Sequence, residues 1–431
     1  MEYFFFLLLI ILWILYYSFN HYMMVKPSVF FLSVMVFSMA IYLTAFHKWG
    51  VSLSFESATI ILLSFAIFVI GEGLGIFSLN RYYKKLSVPS EKKCFLSEYF
   101  FLKKKYLILC FIITLLTIKL SYDHSLELAL SMGTNSDNEF LLGSTRRALQ
   151  SGEKMGIGLG FLNIFTSAIS YISFFVFINN WTLNKKKFVY LLLSILALLP
   201  SFLFGGRFGL IAYTYNVLMM IAVFVQFHNS WRFQWKFKQI FFLLCTGVLM
   251  LFIFLALGTL TGKVNFDDIV SPLQIYIAFP IQGIDYILDN EKVFTESFFG
   301  EHIFARLTNL LYRLGILDIQ SYIFQPFAYF NGFSANTYSA TGDWLATGGI
   351  FAVIMGQLTI GYIFGLAFNY IRHLKRVNFF AFIYCVFGVV ILDRMTAEHF
   401  FNQLFDFSTI IMFGIAFFLY KLIQRETFLN K

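Results

Sequence analysis

Eleven long apolar stretches constrain this chain more than any other feature of its sequence. Each is long enough to cross roughly 30 Å of hydrocarbon as a helix. They lie at residues 3–20, 28–46, 56–77, 105–121, 160–179, 188–204, 208–226, 239–260, 350–370, 377–393 and 404–422. Hydrophobic residues make up 59% of the chain and charged residues only 13%, about half the share usual in soluble domains. The sequence therefore predicts an all-α polytopic membrane protein, with one membrane domain over 1–431, and excludes soluble, disordered and disulfide-rich secreted classes.

The basic residues are distributed unevenly between the connecting segments. If the stretches alternate in direction, 21 of the 32 Lys and Arg residues fall on one side, eight of them in 81–105. Positive loops face the cytoplasm. We therefore expect a cytoplasmic loop at 78–104, an N-terminus outside and a C-terminus inside. Because these cations sit in short loops between apolar stretches, their partner is the lipid bilayer and not a nucleic acid.

Two segments predicted to lie outside are too long to be plain connections, namely 122–159 and 261–349. The second contains apolar stretches at 272–288 and 298–317, which predict interfacial or re-entrant helices. Arg306 and Arg313 lie one heptad apart in the latter stretch. These two arginines either contact lipid headgroups from an interfacial helix or belong to the functional site.

Three further outside arginines are candidate anion ligands. Arg207 lies in LFGGRFGLI (203–211), framed by glycines at the junction of two spans. A guanidinium there can fork onto phosphate oxygens of a lipid, although a tight turn with a snorkelling arginine fits as well. Arg146 and Arg147 follow a polar stretch, where they are substrate-binding candidates or plain salt-bridge partners.

The segment 325–349, QPFAYFNGFSANTYSATGDWLATGG, is rich in aromatic, hydroxyl and amide groups. The rings of Tyr329, Tyr338 and Trp344 offer flat faces for the apolar side of a sugar, and amides such as Asn336 offer hydrogen bonds. Asp343 is its one carboxylate. The sequence predicts either a sugar groove or an aromatic belt at the membrane surface.

Four ionisable residues crowd into DRMTAEHFFNQ (393–403): Asp393, Arg394, Glu398 and His399. Arg394 and Glu398 are one helical turn apart and can pair. Glu398 or His399 can instead act as a general base if partly desolvated. Glu72, inside the third span, is a functional candidate or half of a structural pair with Arg81.

Three islands of sequence, at 26–75, 205–211 and 336–365, resemble the oligosaccharide repeat-unit polymerases of the Wzy type. In the third island, Asn336, Tyr338, Asp343, Gly348 and Gly349 fit the family's N-x-Y…D-x-x-x-x-G pattern. The family usually has an acidic-Phe-Gly form there, whereas this chain has Asp-Trp-Leu.

The resemblance implies a GT-C-like membrane glycosyltransferase in the cytoplasmic (inner) membrane of a bacterium. On its outer face, a growing glycan on undecaprenyl diphosphate would be transferred onto the next lipid-linked repeat unit of an O-antigen or capsule. A chain-length regulator and a flippase of the same pathway are the implied protein partners.

That chemistry needs cations for the departing diphosphate, a base for the acceptor hydroxyl and a groove for sugars. We expect Arg207, Asp343, Glu398 and His399 to be catalytic. We expect the substrate to contact Arg147, Arg306, Arg313, Asn336, Tyr338, Trp344 and Arg394. No paired-carboxylate motif marks a metal site, so we expect no metal and no cofactor. An O-antigen ligase of similar architecture and a lipid-linked-glycan flippase remain alternatives.

Overall fold

The computed structural model describes most of the chain. The described residues are 1–20, 23, 25–85, 97–131, 141–151, 155–185, 187–204, 208–229, 231, 245, 252, 256, 271, 274–290, 303–318 and 326–428. Among the predicted sites, Arg207 lies outside the described residues. So does nearly all of the predicted span at 239–260.

Helices dominate the described part of the chain. They are α1 (Glu2–Phe19), α2 (Pro27–Trp49), α3 (Phe55–Lys85), α4 (Lys104–Ser131), α5 (Leu141–Gln150), α6 (Ile157–Thr182), α7 (Phe188–Leu196), α8 (Leu199–Phe202), α9 (Phe208–His228), α10 (Phe279–Asp289), α11 (Ala305–Arg313), α12 (Ala340–His373), α13 (Phe379–Val386), α14 (Gly388–Leu392), α15 (Phe400–Leu404) and α16 (Phe407–Leu422). A π-helical turn, Gln274–Ala278, precedes α10. The strands are β1 (Ser97–Leu102), β2 (Ala328–Phe330), β3 (Phe333–Ala335) and β4 (Ile423–Phe428).

The predicted membrane helices are present wherever the structure describes them. Within the described residues, seven helices are long and apolar enough to cross a membrane: α1, α2, α3, α4, α6, α9 and α12. Three predicted spans are shorter apolar segments, over 188–202, 379–392 and 407–422, and the first two of these are interrupted. The predicted helical architecture with long apolar helices is therefore confirmed and is compatible with a polytopic membrane protein, whereas the topology and the count of eleven crossings stay predictions.

Glycines allow α3 and α12 to pack with their backbones in contact. A Cβ added at Gly71 would lie 2.3 Å from the carbonyl oxygen of Leu358, and one at Gly361 would lie 2.3 Å from that of Phe68. Gly75 and Gly365 meet the opposite helix in the same way, one turn further along. Small residues four apart are a common solution for close helix packing in membranes. This pair makes the most extensive helix–helix contact among the described elements.

Glu72, on the α3 face of this interface, has partners other than the Arg81 considered above. Its Oε2 lies 3.3 Å from Nζ of Lys26, and its Oε1 accepts a hydrogen bond from the backbone N–H of Ser28 at 3.2 Å. The hydroxyl of Ser28 also donates to Oε2. Glu72 therefore caps the N-terminus of α2. This favours the interpretation of Glu72 as a structural residue over that of a functional one.

Helix α12 is two helices joined at a glycine pair. Gly349 has φ +65°, which an L side chain rarely adopts, and the helical dihedrals are interrupted at Gly348 as well. Nε2 of Gln357 lies 3.5 Å from Oγ1 of Thr341. In a straight helix these residues would be about 24 Å apart. Residues 340–347 therefore fold back against the first turns of the following helix as a helical hairpin.

Several segments that are predicted to be cytoplasmic contact one another at the same end of the molecule. β1 pairs with β4 in an antiparallel register from Ser97↔Phe428 to Leu102↔Ile423. Glu98 of β1 is buried and binds Arg376 at 3.1 Å and Arg425 at 3.3 Å. Strand β1 in the basic loop, the α12–α13 connection and strand β4 thus share one end of the molecule. Which side of a membrane that end faces stays a prediction from charge.

The two long segments that are predicted to lie outside contain helices where the structure describes them. α4 extends to Ser131, and α5 lies within 122–159. In the larger segment, α10 is largely buried, whereas α11 carries apolar and polar residues on opposite faces, as an interfacial helix does.

Candidate functional site

The hairpin of α12 and the connection between α14 and α15 enclose a buried cluster of charged side chains. Asp343, Asp393, Arg394 and Glu398 are each at most 7% exposed. The backbone N–H of Ala340 donates to the carbonyl of Arg394 at 2.8 Å and ties the two segments together. Buried charges need partners, so the cluster is best described by what each group binds.

Both oxygens of Glu398 are used within the protein. Oε2 accepts a hydrogen bond from the indole N–H of Trp344 at 3.0 Å, and Oε1 accepts one from the backbone N–H of Phe400 at 2.8 Å. Nη1 of Arg394 lies 3.6 Å from Oε2, and neither side chain reaches solvent. The predicted Arg394–Glu398 pair is therefore present. Because Glu398 is buried and both of its oxygens already accept hydrogen bonds, a structural role is favoured for it over that of a general base.

Arg394 is held from several sides. It donates to Oε1 of Gln357 through Nη2, and its guanidinium carbon lies 5.2 Å and 5.3 Å from the ring centroids of Phe31 and Phe68. Cation–π contacts and a neighbouring carboxylate stabilise a buried guanidinium. With 1% of its surface exposed, Arg394 contacts protein groups instead of an open substrate site. This burial speaks against the substrate-binding role expected for Arg394, which stays a prediction.

Asp343 holds the same connection from the other side. Its Oδ2 accepts a hydrogen bond from the backbone N–H of Glu398 at 2.6 Å. Asp343 lies in the first turn of α12, whose N-cap is the hydroxyl of Ser339, bonded to the N–H of Gly342 at 3.1 Å. Asp343 therefore positions the backbone beside His399 and is itself buried.

His399 is the member of the cluster that remains accessible. A quarter of its side chain is exposed, and its Nε2 lies 2.9 Å from Oδ2 of Asp393, which is 3% exposed. When Asp393 accepts from Nε2–H, the neutral ring carries its lone pair on Nδ1. Burial lowers the pKa of His399, but the hydrogen bond and charge of Asp393 outweigh it, so the pKa lies above the ordinary value. This is the arrangement of a base oriented by a carboxylate.

The aromatic residues expected to line a sugar groove are mostly covered. Trp344 is 7% exposed, because Gly356 lies against its indole and the rings of Phe304 and Phe401 meet it edge-on at 6.3 Å and 5.9 Å. Tyr338 is 1% exposed, and its hydroxyl donates to the carbonyl of Pro326 at 2.9 Å. Neither ring offers an open face for a sugar, which speaks against their expected roles, and these roles stay predictions. Asn336 remains partly exposed.

The predicted cationic ligands lie at different distances from the cluster. Arg306 is beside it, since its backbone N–H donates to Oδ1 of Asn402 at 3.2 Å and its half-exposed side chain lies 3.7 Å from Asp406. Arg313 is exposed at the far end of α11, about 10 Å along the helix. Arg147 is on α5, which packs mainly against α4, and its Nη2 bonds Ser144 at 3.3 Å. Arg147 therefore belongs to another part of the surface.

Two residues of the cluster lie beyond the predicted site. Asp393 is part of the charged segment, but it lies six positions before His399, and residues at that spacing lie on different faces of an α-helix. Gln357 lies inside an apolar stretch, and an amide in such a stretch was the available signal. Within the part of the chain described, no group of three or more His, Cys, Asp or Glu side chains is placed to hold a metal ion.

Comparison of the chain with protein-family models, with curated proteins and with solved structures found no match.

Proposed function

We propose that this chain is a membrane glycosyltransferase that polymerises lipid-linked oligosaccharide repeat units, with His399 as the general base. The observation that carries the proposal is the Asp393–His399 pair, partly open and held by a rigid cluster in a membrane-embedded helix bundle. The order of the three sequence islands supports the repeat-unit class of substrate, undecaprenyl-diphosphate-linked glycan.

In the proposed reaction, His399, Asp393 and the arginines have different roles. The acceptor hydroxyl attacks the anomeric carbon of the donor glycan, the bond from that carbon to the diphosphate oxygen breaks, and the hydroxyl proton passes to Nδ1 of His399. Asp393 stabilises the imidazolium that forms. The lipid diphosphate leaves as an anion, and arginines neutralise it.

Arg306 is the best-placed described cation for the leaving group. It is half exposed, it lies on the helix that contacts α15, and its carboxylate partner Asp406 is 3.7 Å away, a distance typical of a weak pair. Arg313 can extend the cationic surface along α11. Arg207 keeps its proposed role as a phosphate ligand from its place in the sequence.

The surface glycan of a deletion strain tests the proposal. Single repeat units on a capped core, restored to long chains by the wild-type gene but not by His399→Gln, would support polymerisation. Loss of every attached repeat would indicate a ligase, and cytoplasmic accumulation of the lipid-linked unit would indicate a flippase. The amount of protein in the membrane, measured for the wild type and for His399→Gln, separates a loss of activity from a loss of folded protein.

A further inference from the structure

The β2–β3 hairpin presents two different faces. Its register pairs Ala328 with Ala335 and Tyr329 with Ser334. Ala328 and Ala335 are buried, whereas Tyr329 is 71% exposed and Ser334 is exposed too. Since successive residues of a strand point to opposite faces, Phe327, which is 51% exposed, continues the outward row of Tyr329.

The outward face has an aromatic row beside a polar row. The rings of Phe327 and Tyr329 lie 6.4 Å apart at 37°. Directly opposed residues of an antiparallel pair lie about 5 Å apart on one face, so Ser334 flanks Tyr329. If the register is extended by one pair beyond Ala328 and Ala335, Asn336 lies beside Phe327. Ring faces and neutral hydrogen-bonding groups thus lie side by side.

The inward face fixes the hairpin to the bundle. The ring of Phe330 packs against Phe279 at 5.4 Å and Tyr286 at 5.6 Å, and that of Phe333 lies 6.4 Å from Trp49. The turn has positive φ at Asn331 and Gly332, as a two-residue hairpin turn requires. The outward rings are therefore exposed on a preorganised support.

We propose that this outward face binds the neutral glycan of the lipid-linked substrate. The inference rests on the proposed function and adds a binding site to it. Residues 326–339 include no charged side chain, so the hairpin itself supplies none of the cations that a phosphate headgroup needs. Sugars suit it, because their C–H faces stack on rings while their hydroxyls bind amides and hydroxyls.

The chain connects this face directly to the cluster. β3 ends at Ala335, and the segment that follows reaches Ser339, the N-cap of the helix that carries Asp343. The bond from the hydroxyl of Tyr338 to the carbonyl of Pro326 closes the base of the hairpin. A glycan lying on Phe327 and Tyr329 would therefore extend from the segment that leads to the reaction site.

The test compares two double variants of the full-length protein. Phe327→Ala with Tyr329→Ala removes both outward rings. The control variant, Phe55→Ala with Phe351→Ala, removes two rings that are each 74% exposed and lie outside the β2–β3 hairpin. The probe is native surface glycan, cut by mild acid into fragments of several repeat units and titrated into purified protein. Chain length in the complemented deletion strain is measured in parallel.

We expect the hairpin variant to bind the fragments about tenfold more weakly than wild type, at two- to tenfold per ring. We expect shorter chains from it, while the control variant stays within twofold of wild type on both measures. Equal binding by wild type and the hairpin variant, or no binding by wild type, would overturn the glycan site. Equal weakening in the control would indicate general membrane anchoring and overturn it too. A deletion strain with unaltered chain length would instead contradict the proposed function itself.

Discussion

The Asp393–His399 contact gives the sharpest prediction. Asp393→Asn keeps the size and a hydrogen-bond acceptor but removes the charge that faces Nε2 of His399 at 2.9 Å. A hydrogen bond to a charged group contributes about 1.5–3 kcal/mol. If that contribution is made in the transition state, where the imidazolium forms, its loss slows the reaction about ten- to hundredfold.

The pH dependence gives an independent readout of the same change. A base must be neutral to accept a proton, and Asp393 holds the pKa of His399 above its ordinary value of about 6.5. The acid limb of the wild-type rate profile therefore lies above about pH 6.5. Without the carboxylate charge, the pKa falls, and the limb of the Asp393→Asn variant moves to lower pH while its plateau drops.

Initial rates of glycan extension by purified protein, from pH 5 to pH 9, measure both effects. Asp123→Asn is the matched control, because the same chemical change there falls on an exposed pair with Lys119 on α4 and leaves both His399 and Arg306 untouched. The control should keep the wild-type rate and limb. A wild-type plateau and an unmoved limb in Asp393→Asn would refute the assignment of His399 as the base.

Four further predictions concern packing, the lipid diphosphate, orientation and metals. Gly361→Leu forces a side chain into the backbone of α3 and should greatly reduce folded protein in the membrane, whereas Gly73→Leu, whose Cβ meets nothing within 4 Å, should not. Glycan chain length per protein should fall from wild type to Arg207→Lys to Arg207→Ala; wild-type length in the Ala variant would remove Arg207 from the site. In a cysteine-free background, an impermeant thiol reagent should label Ser334→Cys but not Lys103→Cys in intact cells, and the reverse pattern would invert the orientation. Polymerisation should persist in EDTA; loss that a divalent ion restores would contradict the arginine-based leaving-group role.

Hydropathy predicted the positions of the helices because burial in lipid is a local property of composition. The apolar stretches at 3–20 and 28–46 correspond to α1 and α2 within a few residues, and the stretch at 56–77 corresponds to the first part of α3, which continues for eight more residues to Lys85. The carboxylate pairing of Glu72 was harder to predict, because Lys26 and Arg81 are both cations within reach of its helix and only packing chooses between them.

The site required contacts that no local pattern encodes. The glycine pair at 348–349 was visible, but a break becomes a hairpin only when Trp344 finds Gly356 and Thr341 finds Gln357. The sequence grouped Asp343, Glu398 and His399 by chemistry. Which of them remains accessible depends on the bonds to Trp344 and to backbone N–H groups, and those are set by tertiary structure.

Reconstitution of the purified protein with lipid-linked repeat units tests the polymerase proposal most directly. Proteoliposomes that hold the wild-type protein and one lipid-linked repeat unit should produce a ladder of longer glycans. One molecule of lipid diphosphate should be released for each new linkage, and His399→Gln should form no ladder. Movement of the lipid-linked unit across the bilayer without new glycosidic bonds, or transfer only to an added lipid A–core acceptor, would contradict it.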